Sequence, residues 1–191
     1  DFARYYDNFV KGQSTYFVWL NRGKESIIAD IKDPEDNKLL KTIINKSDIF
    51  IQNLLPGTLK KFKLDSKTLR KTNKKLITCD ISGFGDIGPY SKLKAYDLLI
   101  QAETGLCSIT GNESSAGRVG VSVCDIACGM NAYSLILEAL IKRNKTGNGS
   151  EIKVSLFDSL SEWMNVPYLQ YSYTKKAPKR VGLSHPSIVP Y

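Results

Sequence analysis

Residues 76–90 read LITCDISGFGDIGPY. The first seven, with Ile77, Thr78 and Ile81 among them, have the apolar and β-branched character of a buried strand. Gly83, Gly85, Gly88 and Pro89 follow at once, so the strand is predicted to run straight into a loop of turn residues. Such a strand end matters if the sheet is of the open α/β kind. In such sheets ligands gather beyond the carboxyl ends of the strands.

The surroundings support that reading. Upstream, residues 26–31 (SIIADI) and 48–52 (DIFIQ) are apolar enough for two more strands. Between them Pro34 stands where a helix would begin, and Leu39, Leu40, Ile43 and Ile44 recur at helical spacing. Pro56 and Gly57 turn the chain into two short basic helices ending near Asn73.

Downstream, residues 96–105 read as a helix and 119–123 as a short strand or extended stretch. Asp125 opens a long helical segment to about Arg143, with Ile126, Met130, Tyr133, Leu137 and Leu140 as its apolar stripe. Gly147 and Gly149 break it. Residues 151–155 (EIKVS) form a strand, and a helix runs from Phe157 to Pro167. Strand and helix alternate, which predicts a mostly parallel sheet flanked by helices.

The chain has 191 residues, 42% hydrophobic and 24% charged, the composition of a globular domain with a real core. No apolar run approaches the ~20 residues of a membrane helix, so no membrane partner is expected. No signal peptide opens the chain. Residues 1–10 read as the interior of a protein already under way. Tyr191 follows Pro190 with no closing element. The expectation is a piece of a longer protein, in which 175–191 lead toward a further domain.

The formal net charge is +8. Lys60, Lys61, Lys63, Lys67, Lys71, Lys74 and Lys75 lie where short helices would turn wet faces outward, so no nucleic-acid partner is expected. A basic surface also suits a ligand with several phosphates. Of the four cysteines, Cys124 and Cys128 have helical spacing. No second close pair and no neighbouring histidine completes a zinc set, so no metal is expected. Reduced, buried cysteines in a cytoplasmic protein are the expectation, with mitochondria or peroxisomes open for a eukaryotic source.

Chemistry is expected at three strand ends: after Ile51, after Ile81 and after Val123. At the last, Asp125 precedes a helix. An aspartate there can cap free N–H groups. The same place favours an ionised carboxylate able to attack an acyl carbon. Spacing leaves both roles open. The loop at 82–90 lacks the patterns of dinucleotide and P-loop sites. The sole histidine, His185, lies in the tail, which argues against a histidine triad.

Taken in order, several segments resemble the class III CoA-transferases, the CaiB/BaiF family. They are NRGK (21–24), DIKDP (30–34), DIFIQNLLPG (48–57), ISGFGDIGPY (81–90), Tyr96-Asp97 with Gln101-Ala102 and Gly105, GVSVCDIACG (120–129) and KTGNGSEIKVSLFD (145–158). The resemblance covers nearly the whole chain. It implies a Rossmann-like fold, with residues 1–174 forming part of the large CoA-binding domain and 175–191 connecting to a small domain. Coenzyme A and its thioesters are then substrates rather than a resident cofactor.

The resemblance also implies site residues. Asp125 matches the family's catalytic aspartate, which takes an acyl group from a thioester and then carries CoA. Ala29, Asp30, Ile31 and Lys32 match a segment along the nucleotide. Asn53, Leu54 and Leu55 match the next contact turn. Lys61 falls where an arginine often faces phosphate. Lys94, Ala95, Tyr96 and Asp97 match a further contact run. Lysine meets phosphate as a point charge, without arginine's fork.

Two positions depart from the family pattern: Glu25 replaces a basic residue and Gln52 an acidic one. A homodimer of interlocked chains is implied for the full protein. The acid substrate is small, and residues 181–191 (VGLSHPSIVPY) resemble the tail of dicarboxylate-handling members. The neighbouring α-methylacyl-CoA racemases share the fold but carry His-Asp where this chain has Tyr96-Asp97. A CoA-binding module without catalysis is a further alternative.

Overall fold

A computed structural model describes residues 2–190; Asp1 and Tyr191, and the expectations resting on them, lie outside it. Strands β1 (Ile49–Gln52), β2 (Ile77–Ser82) and β5 (Glu151–Ser155) form a parallel sheet in the order β1-β2-β5. Ile49 lies opposite Ile77, and Cys79 opposite Ile152. The expected mixed α/β architecture is therefore present, a parallel sheet flanked by helices.

The two-residue period of the strands sorts their side chains to two faces. On one face Ile77, Cys79, Ile152 and Val154 pack against helix α7 (Val123–Thr146). On the other, Thr78 donates from Oγ1 to Ser66 Oγ at 2.7 Å. That face meets helices α2 (Pro34–Lys46), α3 (Thr58–Lys61) and α4 (Ser66–Thr72). There Ile44, Leu59, Leu64, Leu69 and Leu76 form a buried cluster with Phe50 and Ile31 at its edge. Local chemistry starts these helices. Asp33 accepts from the Glu35 and Asp36 N–H groups, Pro34 occupies the first turn of α2, and Asp65 accepts from Thr68.

Helix α7 meets the sheet through Cys128, Ala132, Ile136 and Ala139. This corrects the stripe expected from sequence. Met130 and Tyr133 are 62% and 65% exposed, Leu137 is exposed too, and only Leu140 reaches the edge of that core. Apolar residues occur on both sides of the helix, so periodicity could not choose between them. The side carrying small residues lies against the sheet because small side chains permit a close approach. Length and composition alone would let α7 cross a membrane, contrary to the expectation that no segment qualifies.

Residues 26–31 are not a strand. Ile28 is fully exposed, and no strand among the described residues pairs with this segment. Propensity without a partner does not make a strand. Side-chain turns hold the backbone instead: Asp30 N–H donates to Asp36 (2.8 Å), and Lys32 N–H to Asp30 (2.9 Å). The strand or extended stretch expected at 119–123 is absent: the chain bends at Gly120 and Val121, the Val123 N–H closes a tight turn onto Val121 O (2.8 Å), and α7 begins two residues before Asp125.

The helix predicted up to Pro167 is divided. α8 (Leu156–Ser161) passes through a 3₁₀ turn into α9 (Asn165–Thr174). Pro167 sits in the first turn of α9, where its missing N–H costs no helical bond. A 3₁₀ turn at Phe2–Tyr5, helices α1 (Thr15–Asn21), α5 (Asp97–Glu103) and α6 (Leu106–Ile109), and a hairpin of β3 (Gly111–Asn112) and β4 (Ser115–Ala116) complete the described elements. The tail after Thr174 lacks regular structure. It returns to the hairpin, where Arg180 Nε donates to Asn112 O (2.9 Å) and Gly182 N–H to Gly111 O (2.9 Å).

Candidate active site

Asp125 is the third residue of α7, at the end where unpaired N–H groups favour a carboxylate. The residue is exposed to solvent, but protein atoms crowd its carboxyl. That partial burial, followed by the negative charge of Asp97, holds its pKa above the ordinary 3.8. A more basic carboxylate is a better nucleophile toward an acyl carbon.

Asp125 does not cap its own helix, and the residue before the helix, Ser122, makes no side-chain cap bond. The cap comes from α5. Asp97 Oδ1 accepts from the Cys124 N–H at 2.8 Å, while Cys124 Sγ lies 3.3 Å from the Asp97 carbonyl oxygen. Asp97 Oδ2 accepts from Gln101 Nε2 at 2.7 Å. Gln101 Oε1 accepts from the Val119 N–H at 2.8 Å. Below this network Ile100, Val123, Cys124 and Leu160 are buried together, with Phe84, Ala95, Val119 and Phe157 around them. Burial, and then the charge of Asp97, push the Cys124 thiol far up, so it remains protonated.

The glycine loop after β2 is held against the same cluster. Phe157 N–H donates to Gly83 O at 3.0 Å. A methyl group on Gly83 would collide with the Cβ of Ala95, so only glycine lets the loop and the lead into α5 approach so closely. Phe84 packs on Phe157 (centroids 5.8 Å apart) and edge-on to Tyr90 (5.4 Å).

A cavity of about 480 Å³ opens at the carboxyl ends of all three parallel strands. Gln52, Leu54, Asp80, Ser82, Lys153 and Asp158 line it, with Phe84 between this cavity and the Asp125 cluster. Gln52 is braced, donating to Asp80 at 2.8 Å and accepting from the Leu54 N–H at 2.7 Å. Lys153 pairs with Asp86 at 2.6 Å.

The residues singled out from sequence fall into three places. Asp125, Ala95 and Asp97 meet at the start of α7, whereas Tyr96 is the exposed residue before α5. Lys94 is exposed just ahead of them. Asn53, Leu54 and Leu55 form the turn after β1, and of these Leu54 reaches the cavity. Ala29, Asp30, Ile31 and Lys32 lead into α2. Ile31 packs at the edge of the cluster that holds α3, and Asn37 Nδ2 donates to the carbonyls of both Ile31 (3.2 Å) and Phe62 (3.4 Å). Lys61 is exposed at the end of α3.

Sequence reasoning missed Lys153 and Ser155 at the third strand end, although the carboxyl-end rule applied to 151–155 would have found them. Gln101 had no signal beyond its place in a motif.

The fold and the strand-end site define an α/β protein with a helix-borne carboxylate. The profile of CoA-transferase family III matches residues 1–191, and the chain belongs to that family. It is 36% identical over its whole length to the acetyl-CoA:oxalate CoA-transferase of Acetobacter aceti, covering 50% of that protein. It is 38% identical over 93% of its length to the succinate–glutarate CoA-transferase of Agrobacterium fabrum, covering 45% of it. A CaiB/BaiF family protein from Brucella suis superposes with a TM-score of 0.88 at 38% identity, over 94% of this chain and 48% of that one. The chain spans about half the length of the curated relatives it matches.

Proposed function

We propose that the full protein moves CoA from an acyl-CoA donor to a small carboxylic acid, with Asp125 as nucleophile. The observation that carries this reading is a solvent-reachable carboxylate at the start of a 24-residue helix, made more basic by partial burial and by Asp97. The names of the relatives support the reaction class. They also support a dicarboxylic acceptor such as oxalate, succinate or glutarate.

An Asp125 oxygen attacks the thioester carbonyl and CoA leaves as thiolate, giving an acyl-aspartyl anhydride. The thiolate attacks the aspartyl carbonyl, releases the first acid and leaves an aspartyl-CoA thioester. The incoming carboxylate attacks that carbonyl and expels the thiolate again. Attack of the thiolate on the new acyl carbon frees the new thioester and restores Asp125. Each exchange is split into acyl transfers between similar partners.

In this reading the CoA runs along residues 29–32, the 53–55 turn, Lys61 and residues 94–97. The full protein is a cytoplasmic homodimer.

The test uses the full-length protein with donors and acceptors drawn from acetyl-, succinyl- and glutaryl-CoA and their acids. Replacing Asp125 with alanine is expected to lower kcat by at least about 10³-fold. Hydroxylamine should convert Asp125 to a hydroxamate only when acyl-CoA is present. Normal exchange in the Asp125→Ala enzyme would sink the mechanism. Solvent deuterium entering the substrate α-carbon without CoA exchange would identify a racemase instead.

A further inference from the structure

We propose that Gln101 is a positioning residue for the nucleophile, acting as the middle link of a hydrogen-bond relay that fixes the first turn of α7. The inference rests on the assignment of Asp125 as nucleophile.

Gln101 is completely buried, on a helix that does not carry the nucleophile. A buried primary amide is costly unless both its ends are paired. Here both are. Its Nε2 donates to Asp97 Oδ2 at 2.7 Å, and its Oε1 accepts from the Val119 N–H at 2.8 Å. A carboxylate only accepts and a backbone N–H only donates, so the two partners allow the amide one orientation.

Asp97 passes the constraint on. Its second oxygen accepts from the Cys124 N–H, one residue before Asp125. Gln101 thus grips the segment leading into α7 at Val119 and the first turn of α7 through Asp97. Both grips bear on the backbone that carries the Asp125 side chain. The reacting oxygen needs placement to well under about 1 Å, because small displacements of a reacting group cost large factors in rate.

The relay makes a test available that a merely structural glutamine would not pass. Exchanging the two side chains' chemistry, Asp97→Asn with Gln101→Glu, preserves every hydrogen bond and the net charge. In that double variant the amide oxygen at position 97 accepts from the Cys124 N–H. The amide nitrogen at 97 donates to the new carboxylate at 101, whose other oxygen accepts from the Val119 N–H. Either substitution alone sets two donors or two acceptors face to face. Gln101→Met keeps the volume and removes both bonds.

Steady-state kinetics on the full-length enzyme should show kcat down by about 10- to 100-fold in Gln101→Met and in both single exchanges, with KM for acyl-CoA within about twofold in Gln101→Met. The double exchange should recover at least about tenfold in kcat over the worse single variant. Hydroxylamine capture at Asp125 should follow the same order.

A Gln101→Met enzyme with wild-type kcat would overturn the inference. So would a double exchange no better than its singles; if the singles fail to fold, a double variant below about a tenth of wild-type kcat overturns it equally. The Asp125→Ala control separates the two readings. Turnover in that variant removes the nucleophile assignment, whereas loss of turnover with an unaffected Gln101→Met removes only the relay.

Discussion

At the scale of single residues, Asp125 places chemistry and stability in opposition. Its carboxyl has a raised pKa in the folded protein, so folding favours the protonated form. The sign follows from linkage. An acid with a raised folded pKa binds more protons folded than unfolded between its two pKa values, so stability falls as pH rises through that window, which starts near 3.8. Above the window the ionised group remains a net cost to the fold. Asp125→Asn is therefore expected to raise the melting temperature at pH 7. The gain should vanish below about pH 3, where both forms are neutral in the folded and unfolded states. Thermal unfolding of the full-length pair across pH checks this, and a melting temperature lowered at pH 7 would contradict it.

At the scale of elements, α7 joins the sheet to the site. Its small inner residues set its distance from β2 and β5. Its far end is tied down where Arg143 meets the Asp48 carboxylate at 3.0 Å and the Lys75 carbonyl at 3.2 Å. Enlarging an inner residue should push the helix off the sheet. Ala132→Leu is expected to destabilise by about 1–3 kcal/mol through overpacking. Denaturant unfolding measures it, and an unchanged midpoint would show that the contact is looser than described.

The existence of this helix and its end at Gly147 were legible in the sequence. Its inward face was not. Leu and Met outscore Ala on any apolar scale, whereas fit against a twisted sheet selects the smaller side chains.

At the scale of the whole molecule, three of the four cysteines report on opening of the core. Cys79, Cys124 and Cys128 are buried, and burial, then the charge of Asp80, pushes the Cys79 thiol up to about 11. Thiolate, the form that reacts, is therefore scarce as well as shielded. Alkylation of these three at pH 8 should proceed only as fast as the fold opens and should accelerate together in urea. Rapid modification of Cys79 in the native protein, followed by mass spectrometry, would refute that arrangement.

Local composition and spacing, which the chain carries before it folds, were enough for the alternation of strands and helices. They were also enough for the glycine loop after β2, while the resemblance of the ordered motifs to a known family singled out Asp125. Tertiary structure decided the rest. It left residues 26–31 unpaired and turned α7 onto its small-residue face. It brought Asp97 across from α5 to cap the helix of Asp125, and it buried Gln101 between Asp97 and Val119. Each of these depends on which groups remote in the chain come to lie within hydrogen-bonding or packing distance, and no local pattern encodes that.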